Sequence, residues 1–367
     1  MSADDSDRFS CSPLDAPELA LLAENIKQWG RELGFQSVGI AGIDLGEHES
    51  HFLDWLEKGF HGEMDYMARH GTKRSRPADL LPGTVRVICA RMDYLPAENP
   101  GLSLLAKPDS AYISRYALGR DYHKTLRKKL TQLGERISNQ IAQHGYRAFV
   151  DSAPVLEKAL AEQAGLGWIG KHTLLLDRSA GSWFFLGEIY TDLPLPVDTP
   201  VAAHCGRCSA CIDICPTRAI VAPYQLDARL CISYLTIELR GGIPLELRSR
   251  IGNRVFGCDD CQLICPWNRF ARPTEQADFA ERHGLGNAQL VDLFLWDEST
   301  YLQRTEGSPL RRIGYEGWLR NLAVGLGNGT PNAAALSALQ QRLDFPSELV
   351  REHVQWALNQ LQQRASH

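Results

Sequence analysis

The chain has 367 residues, of which 44% are hydrophobic and 23% are charged, as is typical of a folded protein with two or three domains. It contains no run of eighteen apolar residues, so we expect no membrane span. The net charge of −5 argues against nonspecific coating of nucleic acid. Basic residues are concentrated, however: residues 115–129 contain six against one acid, and residues 240–272 six against three. Such local patches suit one defined polyanionic substrate.

Residues 1–17 are rich in Ser and Asp and lack the basic start and apolar core of a secretory signal. They predict a disordered leader and, together with the oxygen-sensitive groups inferred below, a cytoplasmic enzyme. From Glu18 to Phe35 apolar residues recur every three or four positions, which predicts a helix. Strands then alternate with helices through residue 192, with a hairpin predicted around residues 179–181. This alternation indicates a mixed α/β domain.

Asp151 is a candidate general acid. It follows a predicted strand, Tyr146 to Val150, and precedes a predicted helix that starts at Ser152-Ala-Pro154. A carboxyl at such a sheet edge is suitably placed for chemistry, provided that burial raises its pKa toward neutrality. The alternative is that Asp151 only caps the helix, although Ser152 would serve equally well as that cap.

Two tempting motifs in this domain carry less weight. Gly165-Leu-Gly-Trp-Ile-Gly170 matches G-x-G-x-x-G, but it follows a helix and leads into a strand, the reverse of a dinucleotide-binding fold. Its glycines instead indicate a tight turn or a close backbone approach. Asp121-Tyr-His123 begins like a D-x-H-x-x-G motif that places histidine on cobalt, but Leu126 stands where glycine is required. A corrin ligand through His123 is therefore unsupported by this motif.

Eight of the ten cysteines lie between residues 205 and 265. Seven of them form two runs that each end in Cys-Pro, Cys205-x2-Cys-x2-Cys-x3-Cys215 and Cys258-x2-Cys-x3-Cys265, and Cys231 lies between the runs. The first run has the spacing with which bacterial ferredoxins hold [4Fe–4S] clusters, where the fourth cysteine binds the other cluster. Zinc is a weaker alternative because it prefers separated C-x2-C pairs, and disulfides are disfavoured without an export signal. Cys11 and Cys89 fall outside the pattern. The predicted ligands are Cys205, Cys208, Cys211 and Cys265 for cluster 1, and Cys215, Cys231, Cys258 and Cys261 for cluster 2.

The tail from Glu275 to His367 reads as helices only, joined by Gly, Asn and Pro turns, and resembles HEAT-type helical hairpins. Four polar residues predicted to lie on its first long helix are either a solvated surface or contacts to phosphates. These four residues are Arg311, Arg312, Arg320 and Asn321.

Four stretches in combination resemble the epoxyqueuosine reductase family: residues 113–123, 149–157, 164–172 and 257–268. The resemblance covers about residues 18–327. It implies a cobalamin-dependent oxidoreductase with two [4Fe–4S] clusters that removes the epoxide oxygen of epoxyqueuosine in the tRNA anticodon loop, the last step of queuosine synthesis. It also implies a cobalamin domain similar to those of reductive dehalogenases.

Matched by position, the resemblance makes Asp151 the proton donor to the departing oxygen and places Asp121 and His123 beside the corrin. It also places Arg74, Ser114 and Lys171 near cobalamin. Lys158 stands where the family commonly has arginine, which keeps a cation near the substrate but loses bidentate geometry.

The sequence therefore predicts an α+β protein whose clusters feed cobalamin from an external low-potential electron donor, with no membrane association and a monomeric state. The expected parts are the leader (1–17), a mixed α/β cobalamin-binding domain (18–196), a bacterial ferredoxin-like domain (197–273) and a HEAT-like tRNA-contacting domain (274–367). Two alternatives remain: another cobalamin and iron–sulfur reductase such as a dehalogenase, or an electron carrier or RNA-binding protein without substrate chemistry of its own.

Overall fold

The computed structural model describes residues 14–97, 101–141 and 144–366. Most of the predicted leader and Cys11 lie outside these residues. The first helix begins at Ala16, earlier than predicted, because Asp15 and Glu18 form a reciprocal capping box at its start. The elements of the first part are α1 (Ala16–Glu32), β1 (Ser37–Ala41), α2 (Glu47–Glu57), α3 (Pro77–Leu80), β2 (Arg86–Asp93), α4 (Gly101–Leu105), β3 (Tyr112–Ile113), α5 (Tyr122–Gln140), β4 (Tyr146–Val150), α6 (Glu157–Gln163), β5 (Trp168–Ile169), β6 (Leu175–Leu176) and β7 (Phe184–Thr191).

A four-stranded antiparallel sheet organises this part, in the order β1-β2-β7-β4. One face packs apolar side chains of α1 and α5, such as Ile26 and Leu130, against Ile88 and Ile189. The other face packs α6, through Leu160, in a separate core. Helices therefore cover both faces of the sheet, and the edge strand β4 ends next to Asp151.

The predicted hairpin around residues 179–181 is wrong. Residues Asp177 and Gly181 do form a tight antiparallel bridge, but β6 pairs with β5, while β7 lies between β2 and β4. The glycine-rich segment makes a close approach, as predicted. A Cβ at Gly167 would lie only 2.1 Å from the Leu176 carbonyl oxygen, so no larger residue fits against β6.

The cysteine-rich part is built from short elements around the thiols. It is tied to the first part by a parallel pairing of β10 with β3. Its elements are α7 (Ala210–Asp213), β8 (Ile220–Ala222), β9 (Gln225–Leu226), α8 (Ile232–Ile237), α9 (Leu245–Ile251), β10 (Arg254–Phe256) and α10 (Asp260–Leu263).

The tail is helical, as predicted, and shares one hydrophobic core with α8, α9 and β10. Its helices are α11 (Leu290–Phe294), α12 (Glu298–Arg304), α13 (Gly314–Asn328), α14 (Ala333–Gln340) and α15 (Glu348–Ala365). The whole chain is thus a mixed α+β protein, and the predicted domain boundaries remain predictions. In the described part of the chain, no helix has both the length and the apolar character needed to span a membrane.

Candidate functional site

A cavity of about 1020 Å³ lies where the three parts of the chain meet. Asp151 and His123 come from the first part, Ser233 and Ile237 from the cysteine-rich part, and Arg312 from the tail. Ligand pockets commonly have volumes of about 300 to 1,000 Å³, so this cavity can take a large ligand. Six aromatic side chains contribute to its walls: Tyr94, Tyr116, Tyr122, Phe184, Phe185 and Phe256.

Asp151 lies at the edge of this cavity and caps no helix. Helix α6 starts six residues later, at Glu157, with Leu156 in the cap position, because residues 151–154 form a turn first. Both capping alternatives, through Asp151 and through Ser152, are therefore wrong. The Asp151 carboxylate is free to contact other side chains.

Those contacts form a row of three side chains. The Asp121 carboxylate caps α5 by accepting from the His123 backbone N–H at 3.0 Å, and its Oδ1 lies 2.6 Å from His123 Nδ1. On the other side of the ring, His123 Nε2 lies 2.5 Å from Asp151 Oδ1. The Tyr122 hydroxyl donates to the second oxygen of Asp151. Both carboxylate oxygens of Asp151 therefore take part in hydrogen bonds, Oδ1 with His123 and Oδ2 with Tyr122.

The electrostatics of the row favour an ion pair. Burial alone would lower the pKa of His123, but hydrogen bonds to Asp121 and Asp151 outweigh it and raise that pKa to about 9. Burial would raise the pKa of Asp151, but the hydrogen bond from His123 leaves it below its ordinary value. The expectation that burial raises the pKa of Asp151 toward neutrality is therefore wrong for this arrangement. These pKa shifts favour a protonated His123 hydrogen-bonded to an ionised Asp151 at neutral pH.

A second group of titratable side chains lies on the inner side of Asp151, around a cavity of about 100 Å³. Burial raises the pKa of Glu157 to about 8, with a further contribution from the Asp151 charge. Burial also lowers the pKa of Lys158, whose ammonium donates to the Thr173 carbonyl at 2.8 Å. Glu188, on β7, is fully buried but does not line this cavity, and among the described residues neither of its carboxylate oxygens has a hydrogen-bond partner. Burial raises the pKa of Glu188 well above the ordinary value. Lys158 thus lines an interior cavity with acids around it and does not face an outer RNA-binding surface.

Three residues predicted near cobalamin lie outside the residues that line the large cavity. Arg74 is buried and donates to the Tyr66 carbonyl at 3.1 Å. Ser114 is buried beside Gly257. Lys171 donates to the carbonyls of Gly206 and Cys208, at 2.7 and 2.8 Å. The Lys171 ammonium thus holds the loop of the first cysteine run, and its place near cobalamin stays a prediction.

The four polar residues of the tail divide into two pairs. Arg311 and Arg312 lie on a single 3-10 turn, Pro309–Ile313, and line the large cavity. Arg312 also forms an ion pair with Glu238 at 2.8 Å. They are exposed and available to an anionic substrate.

The prediction that Arg320 and Asn321 contact phosphates is wrong. Both are only 1% exposed. The Arg320 guanidinium donates to three backbone carbonyls of the segment 235–241, and the Asn321 amide donates to those of Thr236 and Val255. They bind the end of α8 and strand β10 to the tail, because those carbonyls would otherwise be buried without donors.

The eight predicted ligand cysteines fall into two neighbouring groups. All four of the first group, Cys205, Cys208, Cys211 and Cys265, line one small cavity of about 50 Å³. Burial and then the charge of Cys231 raise the pKa of Cys261, with further contributions from Cys211 of the first group and from Cys215, so the two groups are close neighbours. The place of Cys265, from the second run, beside the three cysteines of the first run is the one expected from the predicted crossover, and the ligand set of the second group stays a prediction.

The described residues contain no group of three or more His, Cys, Asp or Glu side chains arranged around a single ion. Ligands to a [4Fe–4S] cube stand at its separate iron corners, so they lie farther apart than ligands to one zinc ion. The thiol groups are therefore compatible with cubes. The second group lies close to the large cavity, since Cys231 and Cys258 are each two residues from a residue that lines it, Ser233 and Phe256.

The large cavity also fits a corrin. Its aromatic wall includes Tyr122 stacked on Phe185, with ring centroids 3.9 Å apart and planes at 7°, and such a surface suits a flat macrocycle. The polar row of Asp121, His123 and Asp151 lies at the rim. Both ring nitrogens of His123 face carboxylates, those of Asp121 and Asp151.

Sequence reasoning missed Tyr122 and Glu157. Tyr122 lies between Asp121 and His123 at the start of α5. Its place in the sequence could therefore have suggested that Tyr122 contacts the Asp151 carboxylate, as His123 does. Glu157 starts α6, where an acidic residue ordinarily only complements the helix dipole. Its burial depends on how α6 packs on the sheet, which the local sequence does not encode.

Comparisons with known proteins agree with this arrangement. A family described as "Epoxyqueuosine reductase QueG, DUF1730" matches residues 74–152, and a "4Fe-4S double cluster binding domain" matches residues 204–268. The epoxyqueuosine reductase of Pseudomonas aeruginosa is 68% identical over 94% of this chain and 96% of that protein. The Escherichia coli enzyme is 58% identical over 95% and 91%.

Two solved structures are also similar. A crystal structure of an epoxyqueuosine reductase with an epoxyqueuosine-modified tRNA-Tyr stem loop aligns with a TM-score of 0.84 at 25% identity, covering 93% of this chain and 90% of that one. The Bacillus subtilis enzyme, in a form with its catalytic Asp loop swung out of the active site, aligns with a TM-score of 0.83 at 25% identity and the same coverage.

Proposed function

The chain belongs to the epoxyqueuosine reductase family, and from that premise we propose that it converts epoxyqueuosine to queuosine in the tRNA anticodon loop. It is an oxidoreductase with a double [4Fe–4S] domain. The observation that carries the mechanism is the row Asp121, His123 and Asp151 at the rim of a cavity that borders the cysteine-rich part.

The reaction requires groups of the kind that the chain brings together. An epoxide becomes an alkene when two electrons and two protons enter and the oxygen leaves as water. Iron–sulfur clusters deliver electrons singly, and cobalamin, when bound, supplies a metal centre that can collect them. What the protein itself must add is a proton source, an orienting surface and exclusion of water.

We assign the proton source to His123 and Asp151 together. Because the pKa of His123 is raised to about 9, the imidazole holds a proton at neutral pH. Asp151 Oδ1 lies against that ring, so it can receive the proton and pass it to the departing oxygen. Asp121 positions the ring by accepting from its other nitrogen.

The cavity mouth supplies the substrate contacts. We propose that Arg311 and Arg312, with Lys124 on α5, contact the phosphates of the anticodon loop. The modified base must leave the loop to reach Asp151, as enzymes that act on bases require. We place Lys158 beneath this base, on the inner side of Asp151, and not on the RNA backbone.

We also propose that the protein is cytoplasmic and monomeric and that it receives electrons from a low-potential external donor. We further propose that the helical tail is HEAT-like. Arg74 and Ser114 would contribute to the cofactor pocket indirectly, through residues that line it.

The test is Asp151→Asn, with Asp292→Asn, an exposed residue of α11, as the control. The Asp151 variant should keep its iron content, its cobalamin affinity and its affinity for a modified stem loop. Its turnover under anaerobic reduction should fall by about 10²-fold or more, because general acid catalysis contributes about that much. Turnover close to that of the control would remove Asp151 from the mechanism.

A further inference from the structure

The loops that surround the first cysteine group form an exposed basic surface, which we call the outer face. It consists of Arg207, Cys208, Arg269, Phe270 and Arg272. Cys208 is solvent-exposed, and Phe270 is 40% exposed although it is a large apolar residue. The three arginines are exposed as well.

Aromatic contacts join the two halves of the outer face. Phe270 lies 6.1 Å from Trp267, and Trp267 lies 5.7 Å from His204, measured between ring centroids. His204 directly precedes Cys205, while Trp267 follows Cys265 by two residues. The segments 199–212 and 261–274 are therefore neighbours around the first thiol group.

The five residues of the outer face include three arginines and no Asp or Glu, in a chain whose net charge is −5. The nearest acids along the chain, Asp198, Asp213 and Glu275, lie just beyond the segments 199–212 and 261–274. Asp198 is paired with Lys27 at 2.7 Å, and Asp213 accepts from the Ser209 hydroxyl at 2.6 Å. An acidic protein that approaches this chain is repelled overall but attracted here, so electrostatics would orient it on the outer face. An exposed aromatic ring among cations offers the small apolar contact typical of brief electron-transfer encounters.

The outer face is also separate from the substrate cavity. None of the residues that line the cavity of the first thiol group lines the large cavity. The second group has no member as exposed as Cys208. A carrier that binds the outer face therefore leaves the large cavity unoccupied.

We propose that the outer face is the docking site for a small acidic one-electron carrier protein, which reduces the first cluster. In this step the carrier gives up one electron and the first cluster accepts it, and no proton or bond change is required. The inference rests on the proposed function, because it requires both thiol groups to hold clusters.

The experiment measures cluster reduction in the full chain with both clusters assembled, anaerobically and without tRNA. The variants are Arg207→Glu and Arg269→Glu. Arg250→Glu is the matched control, since Arg250 is an exposed arginine of α9 and its reversal changes the net charge equally. The probes are a reduced flavodoxin, as the acidic protein carrier, and dithionite, as a small reductant.

Each outer-face variant should be reduced by flavodoxin roughly three- to tenfold more slowly than the control at low salt, because charge steering acts on the association rate. The difference should shrink at high salt. Reduction by dithionite, iron content and affinity for the tRNA stem loop should not change.

Equal flavodoxin rates in all three variants would overturn the proposal. Loss of stem-loop affinity with unchanged flavodoxin rates would overturn it too and assign the outer face to RNA. Because the measurement uses no tRNA, it is independent of whether the chain reduces epoxyqueuosine.

Discussion

The two thiol groups have the same ligand chemistry but lie in different surroundings. The first includes a solvent-exposed thiol and is bordered by exposed arginines. The second has no exposed member and adjoins the residues of the large cavity. The difference indicates that burial assigns their roles: the first exchanges electrons with the outside, and the second with the cavity.

The strongest test of this comparison is Cys231→Ala. Since Cys231 is the ligand predicted to complete the second group, the variant should lose that cluster, about four of eight irons on a two-cube count. Turnover should vanish, while flavodoxin should still reduce the remaining cluster. Iron analysis and spectroscopy of the reduced protein measure both effects.

A Cys231 variant that keeps eight irons would show that another group ligates the second cube. A variant that loses all eight would show that the two groups do not fold independently.

The next largest effect is expected for a change at His123. As with the two thiol groups, the surroundings of a histidine decide its chemistry, here by shifting the pKa of the imidazole. Burial lowers the pKa of His172 to about 4, whereas carboxylate partners raise that of His123 to about 9. Since the folded-state pKa of His123 exceeds the ordinary value of 6.5, its stabilisation is fully present below pH 6.5 and is lost as the pH rises through about 9. Its upper limit is about 3 kcal/mol.

His123→Gln should therefore melt at a lower temperature than wild type at pH 6.5, and the two proteins should converge above pH 9. Wild-type turnover should decline through the same high-pH range, because the proton shared with Asp151 is lost. A His172→Gln variant, as the control, should leave this pH profile unchanged. A melting difference that is independent of pH would mean that His123 acts only by packing.

The sequence predicted the parts of this site that depend on local spacing. The cysteine runs define two four-thiol groups, and the order strand, Asp151, helix places a carboxylate at a sheet edge. It could not predict burial, which depends on contacts between distant segments. Arg311 and Arg320 are nine residues apart and equally basic, yet only packing of α13 against α8 hides the second. Likewise, the resemblance placed Lys171 by alignment, while its actual partners come from a loop 35 residues away.

The arginine pair gives a test of intermediate size. Arg320→Ala should lower the free energy of unfolding by roughly 3 kcal/mol or more, because three buried carbonyls lose their donor. Its folded fraction should bind the stem loop normally. Arg311→Ala should do the reverse: stability should stay within about 0.5 kcal/mol, while stem-loop binding weakens and its salt dependence falls by about one counterion. A stable Arg320 variant with weak RNA binding would contradict the assignment.

The smallest expected effect concerns Lys171, whose ammonium bridges two carbonyls of the exposed first loop. Lys171→Met keeps the length of the side chain and removes both hydrogen bonds, each worth about 1 kcal/mol or more for a charged donor. The loop around Cys208 should then open more often, so a chelator should remove iron from the first cluster several-fold faster. The second cluster and the cobalamin affinity should not change, because neither is bordered by this loop.

Arg178→Met, a nearby change of similar size at an exposed residue, is the control. If Lys171→Met instead weakens cobalamin binding and leaves iron release unchanged, the position predicted from the family resemblance is right and the cluster-loop role of Lys171 is wrong.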